Sequence, residues 1–188
     1  MASAFTHAFV AVAVGKTGWR TGKGWRVCFL AIASAILPDA DVIGFSFGIQ
    51  YGDMFGHRGF SHSLLFAVLW GLLIVELAFQ SFRFSKEWWS LLGFFFVVTA
   101  SHSVLDALTN GGLGVAFFAP FDATRYFFPW RPIEVSPIGV SSFFSRWGAL
   151  VLLSEVKYVW LPLSLVWLCV WCYRRVLDRC RKLKTDSK

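Results

Sequence analysis

Five stretches of the chain are apolar for long enough to be buried or lipid-facing: residues 2–14, 25–37, 63–79, 88–108 and 156–173. Read as helices, only the last three approach the ~20 residues that cross a hydrocarbon layer. The first two rise only about 20 Å each. They are either half-spans or helices that run on through polar flanks into protein-lined space. Between the fourth and fifth stretches lies the longest non-helical segment, 110–146. It carries Pro120, Pro129, Pro132 and Pro137 together with Gly111, Gly112 and Gly114. A loop of that length is usually functional. The pattern predicts an all-α fold, a multipass membrane bundle of about five short apolar helices with a long outer loop. Residues 1–175 form one membrane-embedded domain, and 176–188 form a basic cytoplasmic tail.

Composition strengthens the membrane reading. The chain is 56% hydrophobic and 15% charged, against about 25% charged in a soluble domain, and its mean hydropathy is +0.59. Its 21 Phe and 10 Trp suit lipid contact and interfacial belts. The net charge of +7 is read as loop charge, not as a nucleic-acid surface. No basic residue precedes stretch 2–14, so no cleavable signal is predicted there. Cys28, Cys169, Cys172 and Cys180 imply no disulfide framework; Cys169 and Cys172 are read as small hydrophobes in a helix.

Lys and Arg set the orientation. Lys16, Arg20, Lys23, Arg26, Arg83, Lys86 and the seven basic residues from Arg174 to Lys188 fall on one side, thirteen in all. Arg58, Arg125, Arg131 and Arg146 fall on the other, with Lys157 near a boundary. The positive-inside rule puts the thirteen in the cytoplasm, giving five crossings with the N-terminus out and the C-terminus in.

That orientation, fixed without reference to histidine, brings all four histidines to one face. His7 lies in the first stretch, His57 and His62 in the segment HRGFSHS, and His102 four residues before Asp106. Asp39 and Asp41 follow Pro38 in LPDAD. On a helix His102 and Asp106 share a face one turn apart. Such a pair binds a metal, or the carboxylate orients the imidazole. Asp39 and Asp41 are expected on an extended turn after a helix stopped by Pro38, close enough to prefer a shared cation. Imidazole with carboxylate suits a divalent transition metal, Zn foremost, then Mn or Fe. The expected metal ligands are His7, Asp39, Asp41, His57, His62, His102 and Asp106. Asp41, His62 and Arg58 are the expected catalytic residues. Arg125 and Arg131 are expected to hold a substrate phosphate. Ionisable groups inside an apolar segment mark function by default. Neither H-E-x-x-H nor G-x-S-x-G is present. Asp53, Glu87, Asp122 and Glu155 fit no motif.

The set Thr6-His7, Leu37-Pro38-Asp39-Ala40-Asp41, His57 through Leu64, Ser101-His102 through Asp106 and Gly111-Gly112, with the later run from Pro120 to Pro137, resembles the YdjM-type family. These are bacterial inner-membrane proteins described as LexA-regulated, metal-dependent hydrolases. The resemblance covers residues from about 4 to 162. It implies a multipass membrane protein with a divalent-metal site and, in some members, an SOS-linked context. A looser likeness joins the His/Asp pattern to zinc-dependent phospholipases C. The expected function is a membrane-bound metal-dependent hydrolase acting at the periplasmic face on an ester or phosphoester of a membrane lipid or lipid-linked substrate. A metal transporter or regulator, or a purely structural ion, are the alternatives.

Overall fold

The computed structural model describes residues 1–17 and 24–186. Arg20, Lys23 and Lys188 of the basic count lie outside them, as do the side chains of Cys180, Arg181, Lys182 and Lys184. The helices are α1 (Ala4–Thr17), α2 (Gly24–Ile36), α3 (Leu64–Ala78), α4 (Lys86–Ala107), α5 (Val140–Phe143), α6 (Arg146–Glu155) and α7 (Leu161–Asp186). No β-strand occurs among the described residues; only isolated bridges tie Thr109 to Ile133 and Val115 to Tyr126.

α4 is the centre of the bundle. Its 22 residues rise about 33 Å, enough to cross hydrocarbon. Ser85 caps it by accepting from the Trp88 amide at 3.2 Å. α1, α2 and α3 pack around it. Phe94, Phe95 and Val98 of α4 meet Ala11 of α1, Ala31 and Ala35 of α2, and Val75 and Phe79 in one buried cluster. α3 approaches closely through Gly71, where an added Cβ would sit 3.3 Å from Leu92 and 3.4 Å from the Phe96 backbone. A small residue at a helix crossing is the usual means of close approach in lipid.

Three boundaries differ from the sequence expectation. α2 ends at Ile36, but the chain keeps a helical path through Pro38. The chain tightens into a 3-10 helix, Leu37–Phe47, whose first turn places Pro38 where a missing N–H costs nothing. The combined helix Gly24–Phe47 has 24 residues and becomes a candidate span. The third stretch contributes only the 15 residues of α3, because Phe79 leaves helical geometry at φ −136°. The fifth stretch does not end at Tyr173: α7 runs on to Asp186. It continues from α6 through a π-helical turn, Val156–Trp160. The candidate spans among the described residues are Gly24–Phe47, Lys86–Ala107 and the 34-residue Arg146–Arg179, with α1 and α3 as shorter apolar helices. Cys28, Cys169 and Cys172 are free, and all three are exposed on the isolated chain, the last two having been read as small hydrophobes.

Candidate metal centre

Four separate parts of the chain end at one buried point. α1 brings His7, the 3-10 helix brings Asp39, a short 3-10 turn (Phe60–His62) brings His62, and α4 brings His102 and Asp106. All five residues are buried. His62 Nε2 and His102 Nε2 are 3.0 Å apart. Asp39 Oδ1 lies 3.3 Å from His102 Nε2 and 3.6 Å from His62 Nε2. Asp106 Oδ2 is 3.6 Å from His62 Nε2 and 4.0 Å from His102 Nε2. His7 Nε2 is 3.6 Å from Asp106 Oδ1 and 4.0 Å from Asp39 Oδ2. Donors bound to one ion at ~2.0–2.2 Å lie roughly 3.0–3.4 Å apart when adjacent and roughly 4.2 Å apart when opposed. The observed spacings fall in that range.

The hydrogen bonds around the cluster leave these donors facing inward. His102 Nδ1–H donates to the Ala35 carbonyl at 2.7 Å. That bond puts the proton on Nδ1 and the lone pair of the neutral ring on Nε2, toward the cluster. His62 Nδ1 faces Asp41 Oδ2 at 3.2 Å and Ser61 Oγ at 3.0 Å, so its Nε2 lone pair points inward too. Asp106 keeps one partner per oxygen: the Ala2 amide donates to Oδ1 at 2.7 Å and Arg58 Nε to Oδ2 at 3.1 Å. Both carboxylate oxygens of Asp39 and both ring nitrogens of His7 are buried with no hydrogen-bond partner. Buried polar atoms are nearly always paired. An ion would satisfy the Asp39 oxygens and, of the two His7 nitrogens, only the inward-facing Nε2; the residues present fit a divalent cation.

Asp41 and His57 stand one layer out. The expectation of a shared cation on Asp39 and Asp41 assumed an extended turn. On a 3-10 helix, residues two apart point about 120° away from each other. Asp39 therefore meets Nε2 of His62 while Asp41 meets Nδ1 of the same ring. Asp41, His57 and His62 are also close enough to hold an ion, but Asp41 is already satisfied. Its Oδ1 accepts from His57 Nδ1 at 2.7 Å, and its Oδ2 from the Ser61 hydroxyl at 2.6 Å and the Arg58 amide at 3.2 Å. Such an arrangement suits a carboxylate that orients the His62 imidazole.

The arginines are engaged by the protein itself. Arg58 is fully buried and takes a left-handed backbone, φ 64°. Its amide reaches Asp41, while its guanidinium reaches Asp106, the Gly111 carbonyl at 2.9 Å and the Thr109 hydroxyl at 2.9 Å. It ties the outer layer to the inner one, and its guanidinium is occupied by protein partners. Gly112 must be glycine: its φ is +90°, and a Cβ would lie 2.7 Å from Arg58 Nη1 and 2.8 Å from the Tyr51 hydroxyl. Arg125 donates to the carbonyls of His57, Tyr51 and Asp53 at 2.9, 2.9 and 3.1 Å, clamping the loop. Arg131 is exposed and lies over the Phe127 ring, 4.7 Å from its centroid. Glu134 accepts from Asn110 at 2.7 Å.

Among the side chains of the site, Asp39, Asp41 and Asp106 outnumber Arg58 by two charges, the charge of one divalent ion. Without an ion the nearest substitute is a proton on His62. Burial opposes that charge, but the carboxylates of Asp106, Asp39 and Asp41 outweigh it and push the pKa up to about 10. A cavity of ≈560 Å³ adjoins the outer layer, lined by His57, Tyr51, Gly112, Ser136, Pro137 and Trp147 among others. Sequence reading passed over two features here: Thr109, which holds Arg58, and Glu155, fully buried in a candidate span. The second had a signal, since a lone carboxylate in the apolar run ALVLLSEVKYVWL is itself an intramembrane charge.

A family model described as YdjM inner membrane protein matches residues 1–178. An Escherichia coli (strain K12) relative, "Inner membrane protein YbcI", is 40% identical over 176 residues, covering 93% of this chain and 100% of the relative. No solved structure matches the chain.

Proposed function

The chain belongs to the YdjM inner membrane protein family, and we propose that it is a metal-dependent hydrolase whose ion is held by His7, Asp39, His62, His102 and Asp106. The observation that carries this reading is the set of unpartnered buried donors on His7 and Asp39. Asp39, His62, His102 and Asp106 already make a four-donor group, and imidazole with carboxylate suits Zn, Mn or Fe. A divalent ion lowers the pKa of bound water and supplies hydroxide at neutral pH. The chain's own part is to aim the ligands: Asp41 and the Ala35 carbonyl orient His62 and His102, and Arg58 holds Asp106. Asp39 is the most exposed of the five, at 7%, and marks the side from which water enters. The substrate is an ester or phosphoester of a membrane lipid or lipid-linked molecule, admitted beside His57 and Tyr51.

Metal analysis of the purified protein, paired with a screen of lipid phosphoesters and esters, tests this reading. His62→Ala is expected to abolish metal and turnover. Asp41→Asn is expected to keep the fold and weaken metal binding about 10–100-fold. If both variants retain metal and neither changes turnover on any ester tried, the hydrolase reading fails. The near-complete burial of all five donors favours a second reading, a structural ion stapling short helices. Loss of fold together with metal, and no hydrolysis by the loaded parent, selects it.

The site is proposed to open at the periplasmic face, with the N-terminus out and the C-terminus in, on the basic asymmetry described above. A periplasm-active phosphatase fused after Lys188 is expected to be silent. Strong activity reverses the orientation.

A further inference from the structure

We propose that Glu155 is a positioning residue for the metal centre, seating His7 through the first turn of α1; the proposal rests on the metal reading above. Glu155 is fully buried, sits on the last turn of α6 and contacts none of the five donors directly. Its carboxylate accepts from the Ser3 amide, from the Ser3 hydroxyl at 2.6 Å and from the Thr6 hydroxyl at 2.8 Å. Three donors on one carboxylate satisfy a buried negative charge in a candidate span. All three come from the start of α1, where free amides and the helix dipole favour an anion. Thr6 Oγ1 in turn accepts from Trp160 Nε1 at 2.7 Å. Trp160 closes the π-helical turn that follows Glu155. Such insertions in a helix cluster at functional sites.

His7 is the residue after Thr6. Its ring stacks on His102 at 3.8 Å between centroids, yet neither of its nitrogens has a hydrogen bond. Unlike His62 and His102, it has no partner fixing its aim through the far ring nitrogen. Its direction is set by the backbone of α1, and that backbone is held by Glu155 on one side and by the Ala2 amide bond to Asp106 on the other.

The test is cobalt titration of the full-length protein in detergent, read by affinity and by visible absorption, which reports the number and kind of donors. Glu155→Ala is expected to weaken cobalt binding about tenfold, in the range of lost outer-layer support. It should also move the spectrum toward that of His7→Ala. The double variant Glu155→Ala/His7→Ala is expected to bind no more weakly than His7→Ala alone, because the two act through one ligand. Glu155→Gln, which keeps an acceptor, should restore most of the parent spectrum. Should Glu155→Ala not fold, Thr6→Val removes one of the three bonds and is expected to shift the spectrum the same way by less. Parent-like affinity and spectrum in a folded Glu155→Ala or Thr6→Val, or fully additive losses in the double variant, overturn the proposal. Failure of the parent itself to bind cobalt, manganese, iron or zinc removes the metal reading, and this proposal with it.

Discussion

Replacing Asp106 with alanine is expected to remove the ion and destabilise the protein by roughly 3–5 kcal/mol. Asp106 is fully buried and serves the Ala2 amide, Arg58 Nε and the inward-facing His7 and His62 at once. Its loss leaves the Arg58 guanidinium buried with no counter-charge, and an uncompensated buried charge is among the most damaging changes a core can suffer. Asp106→Asn keeps the shape and one of the two acceptor oxygens, so it should fold better than the alanine variant while still binding metal poorly. Thermal unfolding in detergent, with and without added metal, separates the two. A parent-like melting temperature for Asp106→Ala would show that Arg58 finds another partner and that the inner layer is not the keystone described here.

Metal affinity is expected to rise steeply with pH, by up to about tenfold per unit while His62 is protonated in the metal-free protein, or about a hundredfold from pH 6 to pH 8. The sign follows from the raised pKa of His62. In the metal-free state its imidazolium contributes stability that is full below its unfolded value of about 6.5. That contribution disappears as pH rises through about 10. A metal needs the Nε2 lone pair and must expel that proton. Acid therefore protects the empty site and opposes the filled one, whereas mild alkali weakens the empty site and favours the ion. Titrations at pH 6, 7 and 8 with release of about one proton per ion confirm the linkage. An affinity flat across that range would mean that His62 is neutral before the metal arrives.

How the site was legible follows from the kind of signal each residue leaves. His102 and Asp106 are four apart on one helix, so their shared face follows from helical period alone. His62 and His7 were marked by being titratable in or beside apolar segments, where cost implies purpose. The layering was not legible. Whether Asp41 joins Asp39 on an ion or stands behind His62 depends on a 3-10 path through Pro38, and a proline after an apolar helix reads more readily as a stop. Arg58 left the wrong signal: an arginine beside a histidine suggests phosphate, but Thr109, Gly111 and Asp106, some fifty residues away, occupy its guanidinium. The five apolar segments were readable from composition and run length. Their ends were not, since the 3-10 extension of α2 and the continuation of α6 through a π turn are set by packing and, at Glu155, by its hydrogen bonds to Ser3 and Thr6.

The apolar rod that runs from Arg146 to Arg179 has one further consequence. Its 34 residues rise about 51 Å, against a hydrocarbon thickness of about 30 Å. Standing upright, it would project some 20 Å beyond the hydrocarbon, so it leans, or carries its charged end from Arg174 to Arg179 into the headgroup zone. Only 17% of its most apolar window is buried within the protein, so little of the bundle resists the lean. Glu155 pins the rod near its beginning. A thicker or thinner bilayer is then accommodated by tilting the rod together with α1, to which Trp167 and Arg174 hold it, and the His/Asp cluster stays where it is.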